Sequence, residues 1–114
     1  MYYLYGAPIS AFTAKARSYL IKQGIPFEER AFGHPRFMED IIPVTQRMMV
    51  PVLETDDRLF VQDTCDILDC LYQRGLEKLP SCPEEGVARA VTHLFELFGG
   101  EGLLRAGMFY RWFF

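Results

Sequence analysis

The chain has 114 residues, half of them hydrophobic and 24% charged, which suits one folded domain, or one domain with part of another, and argues against disorder. Its net charge of −3 argues against a nucleic-acid-binding protein, because such a protein needs a basic face. No basic-then-apolar leader and no uncharged run of about 18–20 residues is present, so we expect a cytoplasmic protein with neither a membrane nor a nucleic acid as partner.

Residues 2–31 predict a strand, a helix and a second strand. The aromatic run Tyr2–Tyr5 is typical of a strand, and Ser10 stands where the N-cap of a helix belongs. Gly24 suits the left-handed C-cap of that helix, and Phe27–Ala31 then indicates the second strand. This order predicts a right-handed parallel βαβ unit. The side chains that we expect the helix to bury are Phe12, Ala16, Tyr19 and Leu20.

Two further helices are predicted on either side of residues 44–62. The first covers Arg36–Ile42 and is expected to end at Pro43. The second begins with Asp63 or Thr64 as its cap and ends at Gly75. Its apolar positions are Ile67, Leu68, Leu71 and Tyr72.

A hairpin is predicted between these helices. The loop Val44–Met48 leads into the apolar run Met49–Glu54. The acidic turn Thr55–Asp57 separates that run from a second one, Arg58–Val61, and two such runs are typical of antiparallel pairing. Added to the βαβ unit, the hairpin gives an α/β fold with a four-strand mixed sheet and helices on its faces.

Pro51 is expected at the start of its strand, because proline has no N–H to donate to a sheet. In that position it leaves the backbone N–H and C=O of Val50 directed away from the sheet. The X-Pro bond is also where a cis peptide costs only about 0.5–1 kcal/mol relative to trans. On this stretch alone, an ordinary edge-strand proline is the slightly better interpretation.

The cysteines and histidines do not predict a metal site. Cys65, Cys70 and Cys82 are odd in number and lack C-x-x-C and C-x-x-H spacing, so disulfides and zinc are poorly supported. The two histidines, His34 and His93, are far apart in the sequence and have no evident catalytic partner. We therefore expect structural cysteines and no metal.

The composition changes after Gly75. Glycine, proline and serine become frequent, which predicts a first domain over residues 1–75, a linker over 76–83 and helices over 84–114. Within the last segment, Glu84–Phe98 has apolar residues at helical spacing.

Gly99 and Gly100 are expected to break that helix before a very apolar run, Gly102–Phe114. A domain that ended there would expose a large apolar patch. Either more helices follow in the natural chain, which we favour, or another subunit covers the patch.

Three motifs, in order, resemble the glutathione S-transferase family. Leu4–Arg17 is similar to the first strand and helix of that family, in which a Gly and a few residues lead to a Ser or Cys before a basic helix. Val50–Leu53 resembles its cis-proline loop, and Gln62–Ile67 stands in the place of the element that holds the glutamyl end of glutathione. The match covers residues 1 to about 75, and the chain from Glu84 onward resembles the opening helices of the family's helical domain.

The resemblance implies a thioredoxin-like βαβ-ββα domain followed by a truncated all-α segment. It also implies a transferase, active as a homodimer, that uses glutathione as co-substrate and a small apolar electrophile as acceptor. Ser10 would be the catalytic residue, because a hydroxyl at the positive end of a helix can donate to the glutathione thiolate and lower the pKa of the thiol. On spacing alone, a plain N-cap worth about 1 kcal/mol is the better interpretation of Ser10, and the resemblance reverses that preference.

The resemblance also implies a set of glutathione contacts: Arg47, Val50, Pro51, Gln62, Asp63 and Thr64. Val50 would pair its backbone with the cysteinyl backbone of the tripeptide, as an added strand does. Asp63 would accept from the glutamyl ammonium, with the Gln62 amide and the Thr64 hydroxyl as donors to the glutamyl carboxylate. Arg47 would bind the glycyl carboxylate.

Two other hypotheses remain open at this stage. Asp63 stands where the family more often has Ser, and Ala11 replaces the usual proline after Ser10, which leaves a non-catalytic thioredoxin-like module for docking or dimerisation as the alternative. A thiol-disulfide oxidoreductase of glutaredoxin type is poorly supported, because position 10 is serine and no cysteine stands near it.

Overall fold

A computed structural model describes residues 1–113, so Phe114, the last residue of the predicted apolar run, lies outside the described residues. Contacts between residues divide the chain into two compact units. The first is Met1–Leu79, and the second begins at Pro80. This boundary falls inside the stretch 76–83 that the sequence predicts as a linker.

The first unit is built on a mixed sheet. Among residues 1–113 the structure has four strands: β1 (Tyr2–Gly6), β2 (Phe27–Ala31), β3 (Val52–Glu54) and β4 (Phe60–Gln62). Their order is β2-β1-β3-β4, with β1 and β2 parallel and the other two pairs antiparallel. The predicted four-strand mixed sheet is confirmed.

Three α-helices accompany the sheet: α1 (Ala11–Gln23), α2 (Ile42–Thr45) and α3 (Thr64–Gln73). Ser10 caps the start of α1 through its side chain, and Gly24 ends the helix in the left-handed conformation, with φ of 64°. The N-cap side chain and the C-cap glycine satisfy backbone groups that a helix end otherwise leaves without partners.

Alternation along the strands divides the core between the two faces of the sheet. Leu4 in β1 and Leu53 in β3 point to the face that α1 and α3 cover, and Tyr5 and Val52 point to the other. The first core cluster comprises Leu4, Ala16, Tyr19, Leu20, Ile25, Leu53, Ile67 and Leu71. The second comprises Tyr5, Phe37, Ile41 and Val52.

The helix predicted to end at Pro43 continues past it, so that prediction is wrong. A π-helical turn, Phe37–Ile41, leads directly into α2, which ends at Thr45. Pro43 lies in the first turn of α2. The residue before it, Ile42, donates its N–H to the carbonyl of Phe37 in the π-helical turn, so the irregularity in the helix lies immediately before the proline.

The prediction that α1 buries Phe12 is also wrong. Phe12 is 41% exposed, whereas Thr13 and Gln23 are buried beside the correctly predicted Ala16, Tyr19 and Leu20. Thr13 faces Gly6 of β1, whereas the side chain of Phe12, one position earlier, lies on a different side of the helix and leans toward its N-terminus.

The buried amide of Gln23 fixes the end of the first unit. Gln23 is 1% exposed, and its Oε1 accepts from the N–H groups of Lys78 and Leu79 at 2.8 and 2.9 Å. Its Nε2 donates to the carbonyl of Leu79 at 2.8 Å. Residues 78 and 79, which composition assigns to a linker, are therefore hydrogen-bonded to α1.

Gly6 packs against Thr13, and the contact leaves no room for a β-carbon. A Cβ at Gly6 would lie 2.7 Å from Thr13 Oγ1 and would overlap Thr13 Cγ2. Thr13 is buried, and its Oγ1 accepts from the N–H of Ala7 at 3.3 Å, so it cannot rotate without losing that bond. We expect Gly6→Ala to lower the free energy of unfolding by about 1–3 kcal/mol in urea titrations.

A double-mutant cycle controls this prediction. Thr13→Ala removes both crowding atoms, so in the Gly6→Ala background it should cost less stability than it does alone. If the two substitutions are simply additive, overlap with Thr13 is not the cause of the loss.

The second unit is helical. It contains α4 (Gly86–Leu97), a π-helical turn (Phe98–Leu103) and α5 (Leu104–Trp112). The predicted break at Gly99 and Gly100 is wrong, because the chain stays helical through both glycines. π-helical turns are rare, and most of them lie inside a longer helix, as this one does.

Apolar side chains of this unit are exposed, among them Val87, Leu94, Phe95, Tyr110 and Phe113. Within residues 1–113, no helix has the length and apolar character needed to cross a membrane.

Candidate functional site

A small cleft in the first unit encloses about 70 Å³. Its lining residues come from the start of α1, the loop before β3 and the junction of β4 with α3: Phe12, Met49, Val50, Pro51, Gln62, Asp63 and Thr64. Five of the residues predicted to contact glutathione are therefore brought together, and Ser10 and Arg47 are not among the lining residues.

The sheet register explains why these segments meet. Tyr5 near the end of β1 pairs with Val52 at the start of β3, and Val52 pairs with Gln62 at the end of β4. Because both ladders are antiparallel, the loop after β1, the loop before β3 and the start of α3 all lie at the same edge of the sheet.

The loop before β3 presents its main chain at this edge. Pro51 is buried, and the Val50–Pro51 peptide bond is cis. Among residues 1–113 no hydrogen bond satisfies the backbone N–H or C=O of Val50, which lies half-buried in the cleft wall. An unpaired donor and acceptor on one residue can receive another extended chain.

Gln62 holds this loop in place. Its Nε2 donates to the carbonyls of Met49 at 2.8 Å and Arg47 at 3.2 Å. Both amide protons are thus used within the protein. The geometry gives Gln62 a positioning role for the Val50 loop.

Ser10 lies at the N-terminus of α1, half-buried. Its Oγ accepts from the N–H of Thr13 at 3.2 Å, which leaves the hydroxyl proton available for donation. No acidic residue stands in the first turn of α1, so the positive end of the helix is not neutralised there. This end of α1 can therefore stabilise a negative charge.

Asp63 caps α3 from a strained backbone. Its φ is 80°, a conformation that non-glycine residues rarely adopt, and its Oδ1 accepts from the N–H of Cys65 at 2.9 Å. The side chain is exposed at the cleft. Strain of this kind costs about 1–3 kcal/mol and is concentrated at functional sites.

Thr64 joins the two helix starts. It is 2% exposed, and its hydroxyl donates to the carbonyl of Phe12 at 3.2 Å. The bond fixes the N-terminus of α3 against that of α1. The main role of Thr64 in the cleft is therefore structural, because it joins the two helix starts.

Arg47 is exposed and does not line the cleft. Its carbonyl accepts from Gln62 and from the hydroxyl of Thr45, and its guanidinium makes no ion pair within residues 1–113. The cation is therefore available to a ligand that extends beyond the Val50 loop.

Sequence reasoning missed two lining residues, Phe12 and Met49. Phe12 was assigned to the core because it shares helical spacing with Ala16 and Tyr19. Its place two residues after a serine cap was the available signal, since first-turn side chains extend past the helix end. Together, Phe12 and Met49 give the cleft an apolar border.

The cysteines do not line the cleft. Cys65 is exposed and Cys70 and Cys82 are half-buried. Over residues 1–113, no three His, Cys, Asp or Glu side chains are grouped in a way that could hold a metal ion.

Comparison with known proteins agrees with the fold. The model of the glutathione S-transferase N-terminal domain matches residues 4–78. Among curated proteins, none matches the chain.

Solved structures of similar fold include an epsilon-class glutathione S-transferase from the housefly Musca domestica, with a TM-score of 0.76 and 24% identity over 97% of this chain and 55% of that one. A glutathione S-transferase from Xanthobacter autotrophicus has a TM-score of 0.72 and 24% identity, covering 89% of this chain and 49% of that one. A glutathione transferase homologue from Burkholderia, solved with bound glutathione, has a TM-score of 0.71 and 19% identity, covering 90% and 55%. The chain thus spans about half the length of these proteins.

Proposed function

Because the chain belongs to the glutathione S-transferase family, we propose that the cleft beside Val50 and Asp63 binds glutathione and that Ser10 activates its thiol for transfer to an apolar electrophile. The observation that carries the proposal is the convergence of an unpaired Val50 backbone, the Asp63 carboxylate and two helix N-termini at one edge of the sheet. The Burkholderia homologue with bound glutathione supports the choice of ligand.

The cysteinyl residue of glutathione pairs with Val50. Its backbone donates to the Val50 carbonyl and accepts from the Val50 N–H, as an added strand would. Pro51 holds the loop so that these two groups stay directed into the cleft. The exchange satisfies two backbone groups that have no partner in the protein alone.

The glutamyl end lies at the start of α3. The Asp63 carboxylate accepts from the ammonium group, and the N-terminus of the helix favours the neighbouring carboxylate. Gln62 and Thr64 already donate hydrogen bonds within the protein, so in this complex their main contribution is to hold the walls of the cleft in position. Arg47 binds the glycyl carboxylate at the other end of the tripeptide.

Ser10 acts on the sulfur. Its hydroxyl donates a hydrogen bond to the thiolate, which lowers the pKa of the thiol and increases the nucleophilic fraction at neutral pH. The thiol proton passes to water, and the thiolate then attacks the electrophilic atom of the second substrate to form a carbon–sulfur or sulfur–sulfur bond as its leaving group departs. Phe12 and Met49 offer an apolar border for that substrate.

Calorimetry with glutathione tests the binding site. Asp63→Asn should weaken binding about tenfold, because it removes the partner of the ammonium but keeps a good N-cap and a residue tolerant of positive φ. Asp66→Asn is the matched control, since it removes the same charge from the first turn of the same helix, outside the cleft.

Absence of any binding heat with glutathione would contradict the proposed site. The chain would then be the alternative, a thioredoxin-like docking or dimerisation module. Equal losses in Asp63→Asn and Asp66→Asn would leave only a general charge effect and would remove Asp63 from the site.

The proposal also includes an oligomeric state and a location in the cell. We expect a homodimer, as the family resemblance implies, and sedimentation of the purified chain measures it directly. We also expect the protein in the cytoplasm, which imaging of a tagged copy in its own cell can test.

A further inference from the structure

A larger pocket lies at the other end of the β1–β3 ladder from the cleft. It encloses about 350 Å³, five times the volume of the cleft. Its floor is the cross-strand pair Tyr3 and Glu54, and its walls include Arg30, Arg36 and Arg58. A volume of this size suits a small organic molecule better than a single ion.

Two of the three arginines are held by protein partners but keep spare donors. Arg30 donates to Glu28 at 2.8 Å and to the Tyr5 hydroxyl at 3.2 Å. Arg36 makes two bonds to Glu54, at 2.6 and 3.0 Å, and one to Asp40 at 2.8 Å. A guanidinium has five N–H groups, so both side chains retain N–H groups that these bonds do not use.

The two carboxylates in the pocket wall, Glu54 and Asp56, each have an arginine partner in the protein. Both oxygens of Glu54 accept, one from Arg36 alone and the other from Arg36 and Tyr5. Asp56 lines the pocket and pairs at 3.3 Å with Arg74, which lies outside the lining and also pairs with Asp57 at 3.0 Å. Both wall carboxylates are thus held by arginines of the protein.

Arg58 supplies the remaining charge. Its guanidinium makes no ion pair within residues 1–113, and its backbone holds φ of 64° in the hairpin turn. Glycine is the residue that this conformation favours. Arginine there places a cation that has no ion-pair partner among residues 1–113 at the edge of the pocket.

We propose that this pocket binds a small organic oxyanion, a carboxylate or phosphate monoester. Its oxygens accept from Arg58 and from the unused N–H groups of Arg30 and Arg36. Two oxygens of a carboxylate or a phosphate can accept side by side from one guanidinium, which an ammonium group cannot match. The site is independent of the glutathione cleft, because the two share no lining residue.

Titration of the full chain with phenyl phosphate and with benzoate, followed by amide NMR, tests the proposal. The amide signals of Tyr3 and Thr55 should shift on binding, and use of both probes distinguishes a phosphate from a carboxylate preference. Arg58→Gln should weaken binding about tenfold or more, the usual effect of losing a hydrogen bond to a charged group. Arg58→Gly should lose binding equally while relieving the backbone, so a folding defect cannot explain its loss.

Arg105→Gln, which removes the same charge from α5, is the control and should leave the affinity unchanged. Unchanged affinity in both Arg58 variants would overturn the proposal. So would a loss in Arg47→Gln alone, which would place the anion near the glutathione cleft, or equal binding of phenol, which has no oxyanion.

Discussion

Ser10→Ala should abolish the thiolate absorbance that forms when glutathione is added at neutral pH, and should lower turnover with an apolar electrophile by about 10²–10³-fold. The expected size is that of removing one hydrogen-bond donor from a developing or stabilised anion. The affinity for glutathione should change little, because Ser10 does not line the cleft that we propose holds the backbone of the tripeptide.

The N-cap function of Ser10 has to be separated from this effect, because Ser10→Ala also costs α1 about 1 kcal/mol. Ser10→Thr keeps both the hydroxyl and the cap, so the thiolate should persist. Ser10→Asp keeps the cap but places a negative charge beside the sulfur, so the thiolate should be lost although the helix start is intact. A thiolate that survives in Ser10→Ala and Ser10→Asp would assign Ser10 to capping alone.

Glu54→Ala should lower the free energy of unfolding by about 3 kcal/mol. Glu54 is 3% exposed and carries the bidentate pair with Arg36 and the hydrogen bond from the Tyr5 hydroxyl. Removing the carboxylate leaves the buried Tyr5 hydroxyl without its acceptor, and Arg36, which is 30% exposed, keeps only its pair with Asp40 within residues 1–113. A buried group left without its partner costs about 1–3 kcal/mol, more than the loss of a surface pair. Urea titration at neutral pH measures the loss.

Asp40→Asn is the matched control for this prediction. Asp40 pairs with the same guanidinium of Arg36 at 2.8 Å, but its side chain is 48% exposed. We expect a change of about 0–1 kcal/mol, the usual contribution of an exposed pair. Similar losses for Glu54→Ala and Asp40→Asn would show that burial of Glu54 is not what makes its pair important.

The same pair should make stability depend on pH. The hydrogen bond from Arg36, and secondarily that from Tyr5, holds the pKa of Glu54 below its ordinary value of 4.5, although burial opposes the shift. The pair's contribution is therefore fully present above about pH 4.5 and is lost as the pH falls through the lower, folded-state pKa of Glu54.

Other carboxylates with lowered pKa values also make the stability of the protein depend on pH in acid, and their contribution must be subtracted. Hydrogen bonds from Arg74 and then Thr55 lower the pKa of Asp57 to about 2, and Arg17 lowers the pKa of Glu29. The difference between the wild-type protein and Glu54→Gln isolates Glu54, and it should shrink as the pH falls below 4.5. A constant difference down to the acid transition would contradict the assignment.

Local sequence signals determined much of this fold. Ser10 and Gly24 mark the two ends of α1, because a side-chain oxygen and a residue free to take positive φ are what helix ends require. Phe27–Ala31 has the bounds of β2, and the acidic turn after Glu54 separates β3 from β4. Each of these features depends on residues that are close together in the sequence.

The spacing of the motifs also indicated which segments form the cleft, although it could not give the roles of all their side chains. Gln62 and Thr64 were predicted to donate to a ligand, yet the structure uses their protons on Met49, Arg47 and Phe12. These hydrogen bonds could not be predicted from the sequence, because each joins residues that only the folded sheet brings together.

The features that only the tertiary structure decided have one physical cause in common. Gln23 is buried because the chain returns to it at Lys78 and Leu79, and Phe12 lines the cleft because the sheet register brings the loop before β3 and the start of α3 to the start of α1. The oxyanion pocket exists because the sheet register places Tyr3 opposite Glu54. Helix caps and turns are set by neighbours along the chain, and their residue types reveal them. Burial, hydrogen-bond partners far apart in sequence and the shape of a pocket are set by neighbours in space, which exist only once the sheet has formed.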